Sequence, residues 1–154
     1  MPTEVSIREL YELTKEGTDL EKDQYEFVQL QGWIRTNRAG KNVGFISLND
    51  GTCFQNAQIV YSSDTLADYD KAGKYLTGTA IAVIGRYVET PEAKQPFEIQ
   101  ATEIILEGAC DNSYPLQKKR HSFEYLRELG HLRPRTNTFS AVFRVRSVLA
   151  MAIH

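Results

Sequence analysis

Five side chains between positions 35 and 58 have the chemistry to hold an unpaired nucleobase: Arg35, Arg38, Phe45, Gln55 and Gln58. A phenyl ring facing out of a sheet is a stacking platform worth about 1–3 kcal/mol per base. Guanidinium groups beside it meet phosphates or base edges. A primary amide next to the ring pairs with a base edge, as in many readers of single-stranded RNA. Each residue also has a plainer reading. Phe45 could lie under a loop or the N-terminal helix, the arginines could sit in surface ion pairs, and the glutamines could simply be solvated. No reaction centre accompanies them. The chain has no Gly-rich phosphate loop, no Gly-x-Ser-x-Gly turn and no metal-ligand cluster. His121, His131 and His154 are not spaced at i, i+4 and there is no Cys-x-x-Cys, which argues against zinc. Asp68 and Asp70 read as a solvated helix face, and His121 with Glu124 as a helix start. No catalytic, cofactor-binding or metal-binding residue is therefore expected.

The elements that must position these residues follow from periodicity. Ser6 to Glu9 has the spacing of a capping box; Ile7, Leu10 and Leu13 recur at helical spacing, and Gly17 supplies a stop. Residues 18–24 read as a polar linker. From Phe27 the period becomes two, with Val28, Leu30, Gly32 and Ile34 on one face and Gln29, Gln31, Trp33 and Arg35 on the other. Trp33 is expected to pack under the N-terminal helix. Thr36 to Asn42 reads as a loop. Val43 to Leu48 is a second strand; its core residues Ile46 and Leu48 turn Phe45 outward. Asn49-Asp50-Gly51 is a turn signal, and Ala57 to Tyr61 is a third strand with Gln58 outward. Asp64 to Leu76 reads as a helix ended by Gly78. Thr79 to Val88 is a fourth strand. The fifth alternates through Phe97, Ile99 and Ala101, then slips to Ile104 and Leu106, as at a bulge. This order predicts a mainly β fold: a five-stranded OB barrel with a helix between strands three and four, an N-terminal helix and a C-terminal helical hinge segment.

Composition agrees. The 154 residues are 42% hydrophobic and 25% charged, suited to one compact domain with an appendage. No apolar run approaches the ~20 residues of a membrane span, and Met1 to Leu10 lacks the pattern of a signal peptide. Cys53 and Cys110 are expected as reduced thiols of a cytoplasmic protein. The formal charge of -2 is unevenly spread: -4 over residues 1–24, -3 over 25–109 and +5 over 110–154. A basic tail is a reason to consider nucleic acid, although a solvated helix face explains it as well. Tyr114-Pro115-Leu116 is extended, His121 to Leu132 is helical, and Arg133 to Thr136 breaks that helix. Ala141 to Ile153 begins another, with Val142, Val145, Val148 or Leu149, and Ala152 on one side. Its apolar face runs to the last residue without a cap, which predicts a piece of a longer protein.

Three runs, Gly32 to Arg38, Phe45 to Gly51 and Gln58 to Val60, resemble the anticodon-binding OB domain of the class IIb aminoacyl-tRNA synthetases. That subclass charges tRNA with aspartate, asparagine or lysine. Tyr114 to Lys119, Leu126-Arg127 and His131 to Asn137 resemble its asparaginyl branch, bacterial type. The resemblance implies that Phe45 stacks on the central anticodon uridine, Gln58 hydrogen-bonds that base, and Arg38 contacts the anticodon loop. The stretch Thr52 to Ala57 is longer than in the simplest members, so Gln55 competes with Gln58 for the glutamine role. Glu98 lies where the subclass often places a reader of the third base. Phe139 to His154 resembles the start of the motif 1 helix, at the dimer interface of the catalytic domain. The implied division is 1–24 N-terminal helix and linker, 25–109 OB domain, 110–138 hinge and 139–154 start of a catalytic domain. The implied partner is the anticodon loop of tRNA(Asn), with no membrane. ATP, Mg and asparagine are implied only for a full-length homodimeric enzyme, since motifs 2 and 3 are absent here. Three rivals remain on the sequence: a non-enzymatic OB module for single-stranded nucleic acid, the anticodon domain of an aspartyl-type synthetase, and a protein-interaction domain that docks through the basic tail.

Overall fold

The computed structural model describes residues 1–15 and 21–154. These form two compact units, Met1–Gln117 and Lys118–His154. In the first, a two-residue strand β1 (Thr3–Glu4) precedes helix α1 (Ile7–Leu13). Strands β2 (Phe27–Ala39), β3 (Val43–Asn49) and β4 (Ala57–Ser62) follow, then the single helical turn α2 (Tyr69–Ala72), then β5 (Ala80–Glu89) and β6 (Phe97–Gly108). The sheet runs β1-β2-β3-β4-β6-β5, and β2 also pairs with β5, so five strands close on themselves as an OB barrel.

Closure follows from alternation. Val28, Leu30, Ile34, Ile46, Leu48, Ile59, Ile81, Val83 and Ile99 are all buried in one cluster, contributed by every long strand. The slip expected in the last strand is present: Ile84 is level with Glu103 but Gly85 with Ala101, which leaves Thr102 as the extra residue. Ile104 beyond it is buried, whereas Leu106 is 39% exposed.

Helix α1 seals one end of the barrel. Ile7, Leu10 and Leu13 are fully buried. The Ile7 N–H donates to Asp50 Oδ2 at 2.7 Å, the Tyr11 hydroxyl donates to the Asn56 carbonyl at 3.0 Å, and the Tyr11 ring meets Phe97 edge-on at 4.9 Å. The α1 cap is the expected capping box. The stop expected at Gly17, and residues 18–20 of the expected linker, lie outside the described residues.

Several expectations are corrected. Thr36–Asn42 is not all loop: β2 continues to Ala39, leaving Gly40 to Asn42 as a tight hairpin closed by Gly40 N–H to the Val43 carbonyl at 2.9 Å. Trp33 does not lie under α1; it is 37% exposed on the outer face, level with Asn49 and Ala80. The helix over Asp64–Leu76 shrinks to Tyr69–Ala72. Of Leu66, Tyr69 and Leu76, expected on one side of that helix, Leu66 and Tyr69 are buried and Leu76 is 37% exposed. In the second unit, α3 covers only Phe123–Glu128, capped by Ser122 and ended by Leu129 in a non-helical conformation ahead of Gly130. The last helix, α4, begins at Asn137 rather than Ala141 and runs to Ile153. Before it, the Arg133 guanidinium lies over the rings of Phe139 and Phe143, at 5.2 and 5.7 Å. No helix among the described residues is long and apolar enough to cross a membrane. Cys53 and Cys110 are unpaired and half-buried.

Two predictions arise from this packing. Glu9 accepts from the Ser6 hydroxyl at 2.6 Å and from the Ser6 N–H at 2.7 Å. The hydroxyl bond first, then the backbone bond, hold its pKa below the ordinary 4.5, against smaller opposing effects of burial and Asp50. A carboxylate depressed on folding contributes stability that is present above its unfolded pKa and lost as pH falls through the folded value. Thermal melts from pH 6 to pH 3 should therefore show a decline that Glu9→Gln flattens, and Ser6→Ala should cost about 1 kcal/mol at neutral pH. The second concerns Gly44, level with Tyr61 on the inner face of β3, where an added Cβ would fall inside the Tyr61 ring. Gly44→Ala should cost about 1–3 kcal/mol by overpacking. In denaturant titrations, Gly44→Ala combined with Tyr61→Leu should lose less than the two single losses added, by about 1 kcal/mol or more.

Candidate nucleic-acid interface

The interface is built by a change of face within β2. Up to Ile34 the even positions face the core, with Val28, Leu30 and Ile34 buried. Ile34 is level with Leu48, but the next paired residue, level with Ser47, is Thr36. Arg35 is thus the extra residue of a β-bulge, and beyond it the odd positions face inward. Asn37 turns toward the core, level with Ile46, and Arg38 turns outward, level with Phe45.

Across the next pair of strands Phe45 is level with Val60 and Ser47 with Gln58. Gln58 is therefore the diagonal neighbour of Phe45 on the outer face, at a separation of about 7–8 Å that a ring or a long side chain spans. Arg38, Ala39, Gly40, Val43, Phe45 and Gln58 line one open groove of about 310 Å³. Phe45 is 37% and Val43 40% exposed. The ring is thus partly open to solvent, and an amide and a guanidinium line the same groove.

The groove rests on a braced floor. The Tyr61 hydroxyl donates to Asn37 Oδ1 at 2.8 Å, and Asn37 Nδ2 donates to the carbonyls of Ala72 at 2.9 Å and Tyr75 at 3.0 Å. The Tyr69 ring lies 5.3 Å from that of Tyr61, and its hydroxyl donates to the Gly40 carbonyl at 3.0 Å. Burial first, and then Tyr69, push the Tyr61 pKa above the ordinary phenol value despite the bond to Asn37, so the hydroxyl stays protonated as a donor.

The structure thus brings together three of the five residues singled out from the sequence: Arg38, Phe45 and Gln58. Arg35 is half-buried at the bulge, and its carbonyl accepts from Thr77 Oγ1 at 3.4 Å. Gln55 is exposed in the β3–β4 loop, where its carbonyl accepts from Asn49 Nδ2 at 2.9 Å. Asp50 holds the base of that loop by accepting from the N–H and hydroxyl of Thr52 at 2.9 and 2.7 Å. Glu98 stands one residue before Ile99 on β6, as Gln58 stands one before Ile59 on β4, and Ile59 is level with Ile99. Sequence reasoning missed Val43 and Gly40, which line the groove, and Phe54, 49% exposed in the β3–β4 loop. Phe54 has no alternating neighbours to assign it a face, so periodicity says nothing of it. Among the described residues no three His, Cys, Asp or Glu side chains converge as a metal site.

Comparison with known proteins bears on this surface. Residues 28–107 match the family model described as OB-fold nucleic acid binding domain. The chain is 54% identical over 150 residues, 97% of its length, to asparagine–tRNA ligase of Clostridium perfringens strain 13, and covers 31% of that protein. It is 55% identical over 148 residues to asparagine–tRNA ligase of Acetivibrio thermocellus, again covering 31%. It thus spans about a third of the length of these curated relatives. Its fold superposes on asparaginyl-tRNA synthetase from Pyrococcus horikoshii with a TM-score of 0.72 and 25% identity, over 82% of this chain and 30% of that one. With the matched barrel occupying more than half of the 154 residues, the chain belongs to the OB-fold nucleic acid binding domain family.

Proposed function

We propose that this chain recognises the anticodon loop of tRNA(Asn) for an asparagine–tRNA ligase. The single observation that carries the reading is the groove that joins Phe45, Gln58 and Arg38 on the outer face of the barrel. Phe45 stacks on the flipped-out central uridine, Gln58 hydrogen-bonds its edge, and Arg38 contacts the loop beside it. Support comes from the likeness to asparagine–tRNA ligases along nearly the whole chain. Gln58 is preferred to Gln55 because Gln58 lines the groove. On this reading residues 1–24 are an N-terminal helix and linker, 25–109 read the anticodon, 110–138 form the hinge and 139–154 begin a catalytic domain. The whole enzyme, a cytoplasmic homodimer, would activate asparagine with ATP and Mg, release pyrophosphate and transfer asparagine to the tRNA 3′ end. Nothing in these 154 residues carries that chemistry.

A second reading, a module that holds single strands without preference, gains one observation: Phe27, Trp33 and Phe54 are exposed rings of the barrel besides Phe45. Binding to anticodon stem-loops separates the two. The proposed function predicts preference for a GUU loop over one with its central uridine replaced. Phe45→Ala should weaken GUU binding by about 1–3 kcal/mol and abolish the preference, with the melting temperature little changed because the ring is on the surface. Equal binding to both loops by the unaltered protein would instead establish the generic module.

A further inference from the structure

The groove accounts for one cation of the barrel region, and the positions of the others are not random. Residues 25–109 carry seven basic and ten acidic side chains. Five of the seven fall in two short segments: Arg35, Arg38 and Lys41 in the first, Lys71 and Lys74 in the second. These segments, 35–41 and 68–74, contain only two acids, Asp68 and Asp70, for a net of +3, while the rest of the region is -6. The two segments are separated by 26 residues in sequence.

The fold ties them to each other. Asn37 donates to the carbonyls of Ala72 and Tyr75, and Tyr69 donates to that of Gly40, at 2.9, 3.0 and 3.0 Å. A Cβ on Gly73 would lie 3.1 Å from that of Ala39. Lys71 and Lys74 therefore flank backbone that rests on the end of β2, one position from Arg38 and two from Lys41. Arg38, Lys41, Lys71 and Lys74 are all exposed, and among the described residues none forms an ion pair with a carboxylate. Arg86, by contrast, is engaged by Glu26 at 3.2 Å.

We propose that Lys41, Lys71 and Lys74 form a phosphate-binding rim that holds the RNA backbone where it enters the groove; this rests on the groove being an RNA site. The rim contributes affinity without sequence information, and the groove contributes the choice of base. Each phosphate contact on a single strand adds about 0.7 to the slope of log affinity against log salt.

The test is fluorescence anisotropy of the chain with GUU and central-base-replaced stem-loops across a salt series. The triple variant Lys41→Gln, Lys71→Gln, Lys74→Gln should have a slope shallower by about two, and affinity on the order of 100-fold lower at 0.1 M salt. The loss should be the same for both loops, so their ratio is unchanged. Phe45→Ala should do the opposite, keeping the slope and losing the ratio. The Lys→Arg versions should keep the slope, as should Lys15→Gln, which removes a cation paired with Glu12 on α1. A folded triple variant that binds selectively with the unaltered slope would overturn the rim and leave the groove standing. Absence of binding by the unaltered protein to either loop would overturn the groove, and the rim with it.

Discussion

At Arg35 the pairing of β2 with β3 advances by one residue on one strand and not on the other, and every side chain beyond that point changes face. Had the period of two continued from Ile34, Arg38 would point into the barrel and Asn37 out of it. The first change would bury a guanidinium beside Ile46 and Tyr61, which are at most 1% exposed. An unpaired buried charge costs several kcal/mol. The second would strip Tyr61 of its acceptor and free the Ala72 and Tyr75 carbonyls. The bulge also lies where β2 exchanges neighbours: Trp33 is the last residue level with β5, and Ile34 N–H already reaches the Thr79 carbonyl at 2.9 Å. One inserted residue thus turns Asn37 inward to Tyr61 and Arg38 outward beside Phe45.

The two ends of the barrel are secured by different means. At the α1 end, apolar burial of Ile7, Leu10 and Leu13 is combined with an Asp50 carboxylate shared between the helix and the β3–β4 loop. At the groove end the bracing is polar and aromatic, through Asn37, Tyr61 and Tyr69. A polar brace suits a surface that must keep its shape while exposed, because hydrogen bonds fix direction where apolar contacts fix only proximity. Gly44 belongs to this brace: its missing side chain is the space in which the Tyr61 ring lies, directly beside Phe45 in sequence.

Much of this was legible in the sequence. Alternation places Ile46, Leu48 and Ile59 in the core and thereby turns Phe45 and Gln58 out, with no structure needed. The slip in β6 was legible because apolar residues stand on both sides of it, Ala101 before and Ile104 after. The bulge in β2 was not, because everything after it, Thr36, Asn37 and Arg38, is polar and carries no phase. Such a run reads as a loop, and the loop reading hid both the true length of β2 and the pairing of Arg38 with Phe45. Trp33, expected under the N-terminal helix, stands at an odd position on the outer face and is 37% exposed. The helix over 64–76 was overextended because Leu66, Tyr69 and Leu76 stand at helical spacing although the backbone is helical only over Tyr69–Ala72.

Charge placement bears on how such a surface discriminates. A protein that binds single strands without preference lines its groove with cations along the path of the backbone, so any strand gains counterion release wherever it lies. Here the barrel region is net acidic, and five of its seven cations lie in two segments joined by the contacts of Asn37 and Tyr69. A polyanion laid elsewhere across the barrel meets repulsion. One that meets these segments is delivered beside a groove large enough to receive a base and edged by Gln58. Weak attraction overall with strong local attraction lets the base contacts decide the outcome. If phosphate contacts alone supplied most of the affinity, a wrong base beside Phe45 would cost only a small share of the total and the partners would be poorly told apart.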